Sequence, residues 1–165
     1  MKGKNLSIEI KHPEGSLEYL VGWIYVTFKT RDAEITVHVS DVFNPAFEIA
    51  YLFYGLIQGS IPQLIEVDEE GEIKVIRILP YEDDQVRFQI EDYNYGEGDY
   101  GDTGYRRMHM DIILNKKELI EEFCSKFIIF LENEFQAQRW RGTNLKEYYL
   151  PAFKKLFPSY IQERR

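Results

Sequence analysis

The stretch Glu34-Ile35-Thr36-Val37-His38-Val39-Ser40 puts Ile35, Val37 and Val39 on one side of an extended chain, with Glu34, Thr36, His38 and Ser40 on the other. A period of two is the mark of a strand with one buried face. Just upstream, Arg31-Asp32 supplies a turn. The preceding run from Leu17 to Lys29 is almost continuously apolar or aromatic, with Trp23, Tyr25 and Phe28, which predicts a long central strand covered on much of both faces. Earlier still, Leu6, Ile8 and Ile10 alternate with Ser7, Glu9 and Lys11 until Pro13 and Gly15 end the run. Three such strands joined by turns predict an antiparallel meander.

Downstream the pattern changes. Asn44-Pro45 reads as an N-cap followed by proline at the first helical position, where its missing N–H costs nothing. Phe47, Ala50, Tyr51, Tyr54 and Ile57 recur at helical spacing, apolar residues fill most gaps, and Glu48 is the one charge, so this helix is expected to be buried nearly all round. Gly59 suits the position just past its end. Next come Leu64 to Val67, the turn Asp68-Glu69-Glu70-Gly71 and Ile73 to Ile78, which predict a hairpin. Val86, Phe88 and Ile90 form a sixth strand, and Met108, Met110, Ile112 and Leu114 a seventh.

Asn115 with Glu118 resembles a capping box, and Glu121 and Glu122 suit the electropositive start of a helix. Leu119, Phe123, Phe127, Leu131 and Phe135 give that helix a core stripe of about 22 residues' length, roughly 33 Å, closed by Arg139, Arg141 and Gly142. Thr143 or Asn144 caps a last helix, with a break or kink expected at Pro151. The expected fold is α+β: a large twisted antiparallel sheet in the order β-β-β-α-β-β-β-β-α-α with helices on one face. The 165 residues form a single domain, 1–165, with a C-terminal helical extension at about 143–165.

Composition narrows the function classes. Hydrophobic residues are 44% and aromatics 15% of the chain, enough to build a core. The best candidate for a membrane span, Phe47 to Ile57, is interrupted by Glu48 and falls short of the roughly 20 apolar residues needed. The N-terminal Met-Lys-Gly-Lys-Asn lacks a following apolar export segment, and the lone Cys124 forms no internal disulfide, so a cytoplasmic protein is expected and the sequon at Asn5 is read as chance. A net charge of −8 opposes nonspecific binding to nucleic acid and favours solubility or a basic partner.

Motif matches fail on their mechanism. Gly96-Glu97-Gly98-Asp99-Tyr100-Gly101 spells a dinucleotide fingerprint, but it lies between two predicted strands among carboxylates that repel phosphate. Asp102-Thr103-Gly104 spells an aspartic-protease triplet without the apolar strand before it or a second copy. Glu97, Asp99 and Asp102 could offer oxygens to Ca²⁺, yet their spacing is not that of a calcium loop. His12, His38 and His109 are scattered, without zinc-site spacing. Cys124 beside Phe123 and Phe127 reads as a small buried hydrophobe. Arg139-Trp140-Arg141 opens a basic C-terminal region whose cations suit a helix end and whose tryptophan suits the core. No catalytic residue, metal or cofactor is expected.

The remaining candidate is the segment from Glu91 to Tyr105, read as an exposed acidic loop with five carboxylates and no local Lys or Arg up to Tyr105. Tyr93, Tyr95, Glu97, Asp99, Tyr100, Asp102 and Tyr105 are its partner-binding candidates, because tyrosine concentrates binding energy and long loops are often functional.

The helix Phe47-Glu48-Ile49-Ala50-Tyr51-Leu52-Phe53-Tyr54-Gly55-Leu56, its Gly59 stop, the Glu69-Glu70-Gly71 hairpin, the strand Val86 to Ile90 and Met108-His109-Met110-Asp111 running into Leu119-Ile120-Glu121-Glu122-Phe123 together resemble small immunity-type proteins of bacterial polymorphic toxin systems and related bacterial domains. The resemblance covers about 90 residues as a succession of elements, without a diagnostic motif. It implies a non-enzymatic protein that binds and neutralises a toxin. The long acidic tyrosine loop and the extra C-terminal helix depart from the pattern, so no contact residue carries over. The alternative reading is a small-molecule or metal-binding domain with a cleft between sheet and helices.

Overall fold

The computed structural model describes residues 6–15, 22–42, 45–93, 106–141 and 143–156. Alternation does build the first three strands: β1 (Ser7–Lys11), β2 (Trp23–Lys29) and β3 (Glu34–Ser40) form an antiparallel sheet with β2 in the centre. Its register sets Ile8 opposite Phe28, Ile10 opposite Val26 and Val26 opposite Val37, so one face is wholly apolar. Trp23, Tyr25 and Thr27 on the other face of β2 are only half-buried. The described part of β2 begins at Trp23; residues 16–21 lie outside the described set, as do Asn44 and its cap.

Helix α1 (Pro45–Ile57) leads into a second antiparallel sheet of β4 (Gln63–Asp68), β5 (Ile73–Glu82), β6 (Gln85–Tyr93) and β7 (Arg106–Asn115), in sequential order. The α+β class, the antiparallel pairing and the order of elements hold. The seven strands divide into sheets of three and four, with α1 joining β3 to β4 and no ladder between those two strands. The two apolar faces share one core, with Phe28 of the first sheet 5.3 Å from Phe88 of the second.

Gly59 ends α1 as its sequence position predicts. With φ at +82° it closes a Schellman turn, its N–H reaching Leu56 O at 3.1 Å while Ser60 N–H reaches Gly55 O at 2.8 Å. The β4–β5 hairpin also turns through positive φ, at Glu70 (62°) and Gly71 (130°), and Asp68 Oδ1 accepts from both of their N–H groups.

Helix α2 (Lys116–Ile129) is shorter than its sequence pattern predicts. At Phe130–Glu134 the chain widens into a π turn, with Phe135 N–H bonded to Phe130 O at 2.8 Å, and then leaves the helix. Arg139 therefore does not close α2; it ends a separate 3-10 turn, Ala137–Arg139. It is buried and donates to Pro13 O at 2.9 Å, while Trp140 is buried beside it. Glu122, too, is buried: its Oε1 accepts the Ile8 N–H at 3.1 Å and so satisfies a donor on the edge strand β1.

Helix α3 (Leu145–Leu156) is capped by Asn144 Oδ1 and runs unbroken through Pro151. The proline is exposed, and the carbonyl it leaves without a donor, on exposed Glu147, can turn to water. Phe53 stacks on Phe123 at 3.6 Å and Phe153 meets Phe127 at 5.1 Å, which ties all three helices into the core. No described helix is long and apolar enough to cross a membrane.

Candidate functional site

Two places carry charge and exposed rings in a form that could meet another molecule. The first is the end of the four-stranded sheet from which the acidic segment departs. Glu91, Asp92 and Tyr93 belong to β6, where Glu91 and Asp92 are buried, so they are not part of an exposed loop. Neither lacks a cation. Arg77 Nη2 lies 2.6 Å from Glu91 Oε1, with Arg106 at 3.8 Å, because the register brings β5 and β7 alongside β6.

Asp92 sits opposite Lys74 across the β5–β6 pair and meets its Nζ at 3.1 Å, while its other oxygen bonds to His109 Nε2. Lys74 also donates to Glu69 at 2.8 Å. Burial alone would push Asp92 up, but the hydrogen bonds and charges of His109 and Lys74 outweigh it and hold the carboxyl below its ordinary value. Burial likewise opposes the charge on Lys74, and Glu69 and Asp92 outweigh it, leaving the ammonium above its ordinary range. Such a matched cluster spends its charges on itself.

Tyr93 ends β6 with the Arg106 guanidinium 5.2 Å from its ring centre, a cation–π distance. Tyr95, Glu97, Asp99, Tyr100, Asp102 and Tyr105 lie outside the described residues.

The second place was missed by the sequence reading. Helix α1 is not buried all round: Glu48, Tyr51 and Tyr54 share an exposed face, at 56% exposure for Tyr51 and 39% for Tyr54. Leu64 on β4 and Tyr148 on α3 are each 55% exposed. Tyr148 links α3 to α1 through Phe47, 5.5 Å away, and its hydroxyl, bonding to Tyr51, holds the Tyr51 phenol above its ordinary range. Tyrosines at helical spacing read as core in the sequence; their i, i+3 step beside Glu48 was the signal that a wet stripe runs there.

Between α1 and β4 lies an open groove of about 440 Å³ lined by Glu48, Tyr51, Leu52, Leu64, Ile65 and Glu66. Glu48 and Glu66 have no cationic partner among the described residues. Burial first, then the neighbouring Glu66 carboxylate, raise the Glu48 carboxyl above its ordinary value.

The interior offers less room. Between the first sheet and the helices a gap of about 20 Å³ is lined by side chains such as Ile10, Val26, Phe123 and Phe127, space for about one water and no polar group to hold it. Burial pushes the Cys124 thiol up to about 12, which keeps it protonated and unreactive. Among the described residues no group of three His, Cys, Asp or Glu is arranged to hold a metal ion. His38 lies 3.8 Å from Glu69, His109 serves Asp92, and His12 is fixed between Trp23 O and Gln136 N–H. No family model, curated protein or solved structure matches the chain at a significant level.

Proposed function

We propose that this chain is a non-enzymatic protein-interaction domain, of the immunity (antitoxin-like) type, acting in the bacterial cytoplasm on a basic protein partner. The observation that carries the reading is the exposed set of Tyr51, Tyr54, Leu64 and Tyr148, drawn from three elements and bordered by Glu48 and Glu66, which have no cationic partner among the described residues. Large side chains grouped on a surface mark contact sites, and tyrosine supplies contact area at small entropic cost. The charges of Glu69, Lys74, Glu91 and Asp92, by contrast, are matched internally, and the thiol is inert.

The test is co-purification from the native cell with the partner identified by mass spectrometry, followed by expression of that partner alone and with this chain. The expected result is a stoichiometric complex and growth arrest that this chain relieves. A pure chain that turns over a small molecule, and forms no protein complex, overturns the reading.

A further inference from the structure

We propose that the groove between α1 and β4 takes an extended basic segment of the partner, laid beside β4 as an added strand with a lysine or arginine between Glu48 and Glu66. This rests on the reading of the chain as a protein-binding domain and names the surface and the chemistry. The first support is the edge itself. β4 ends its sheet, pairing with β5 alone; α1 and β3 pack beside it, but among the described residues its backbone makes no hydrogen bond to either. In an antiparallel edge strand alternate residues turn N–H and C=O outward, which is the template for strand addition.

The second support is the shape. Helix and strand touch where Gly55 meets Gln63: a Cβ on Gly55 would lie 2.7 Å from Gln63 Nε2, whose amide is tied to Ser60 O at 3.0 Å. From that contact, Glu48 is seven helical residues back, about 10 Å along the helix, and Glu66 three strand residues forward, about 10 Å along the strand. Both carboxylates line the groove, Glu48 from the helix and Glu66 from the strand, and their repulsion is felt at Glu48.

The third support is complementarity. A long basic side chain entering there lays its methylenes against Leu64 and its charge between two carboxylates that have no cation among the described residues, and meets the face of Tyr51. An acidic segment is repelled at the same point, so the groove selects by charge and binds by backbone pairing.

The probe is a labelled hexapeptide, acetyl-Thr-Lys-Val-Lys-Val-Thr-amide, titrated into the full chain by fluorescence anisotropy at two salt concentrations, with amide NMR shifts to locate it. The expected result is saturable binding that weakens with salt and shifts concentrated at residues 48–54 and 63–67. A glutamate-for-lysine peptide should not bind, and alternate N-methylation should abolish binding. E48Q with E66Q should lower affinity on the order of tenfold, while E82Q, on the exposed β5–β6 turn, should not. Equal binding of the acidic peptide, unchanged affinity in the double variant, or shifts elsewhere overturns the inference. A concentration-dependent dimer abolished by E48Q with E66Q also overturns it, in favour of a second copy as occupant. If a natural complex forms and survives the double variant, the groove inference fails while the protein-binding reading stands. Failure to find any partner, with the peptide still seated here, does the reverse.

Discussion

Two acidic places in this chain look alike in sequence and differ in physics. At the end of the four-stranded sheet Glu69, Glu91 and Asp92 are buried against Lys74, Arg77, Arg106 and His109. Between α1 and β4, Glu48 and Glu66 have no cationic partner among the described residues and stand beside exposed tyrosines. Buried charge that is matched holds a structure together, whereas unmatched charge at a wet groove is available to something else. Counting carboxylates does not separate the two; pairing does.

The largest expected effect comes from breaking the matched side. Lys74→Met keeps much of the volume but leaves Glu69 and Asp92 facing each other without their shared cation, so it should destabilise by about 3 to 5 kcal/mol in urea denaturation. Lowering the pH should shrink that loss. Asp92 has a depressed folded pKa, so its contribution is full above the ordinary carboxylate value and is lost as pH falls through the folded one. An equal loss in Lys74→Met at pH 7 and well below pH 3.8 would show that packing, and not charge, governs the cluster.

What the sequence told and hid follows from the range of the signal. Alternation and capping are local, so the strands, the Gly59 stop and the Asn115 and Asn144 caps were legible within a few residues of where they act. The charges of Glu91 and Asp92 resembled loop residues because their partners arrive from β5, β7 and the bulge near His109, through pairing that no window of sequence contains. The exposed face of α1 was hidden by the opposite error. Tyr51 and Tyr54 carry the same apolar weight as core rings, and only the placement of β4 and α3 decides which face stays wet. The π turn at Phe130 and the burial of Arg139 depend on contacts with the first sheet, including Gly22 N–H bonded to Arg139 O at 2.7 Å, and so were equally invisible.

A smaller effect should appear near neutral pH, away from both acidic places, and sets the background against which they are compared. His12 Nδ1–H donates to Trp23 O at 3.0 Å and its Nε2 accepts from Gln136 N–H at 3.1 Å, an arrangement only the neutral ring provides. Burial is the main cause of its lowered pKa; Arg139 adds to it, and the Trp23 bond opposes it. Between the folded value and the ordinary 6.5 the unfolded chain therefore binds the extra proton. Stability should rise with pH across that window and fall on acidification. His12→Phe should flatten this slope in melts between pH 5 and 8; an unchanged slope would assign it to other groups.

The smallest effect tests the unmatched side and has the opposite sign. Glu48 has a raised folded pKa, so the fold disfavours its charged form. Above the folded value the unfolded chain, with its lower pKa, has already lost the proton, and the penalty for holding a charged Glu48 is fully present at pH 7. Removing the charge should therefore stabilise, where removing Lys74 destabilises. Because Glu48 is exposed and water screens it, the gain in Glu48→Gln should stay below about 0.5 kcal/mol. It should vanish as pH falls below the ordinary carboxylate value, since both states are then protonated. Glu66→Gln should remove part of the same penalty, and the two changes should be less than additive because they relieve one shared repulsion. Denaturation of the two single variants and the double variant at pH 7 and pH 3.5 measures this. A destabilised Glu48→Gln at pH 7 would reveal a cation on that carboxylate and move Glu48 to the matched side of the comparison.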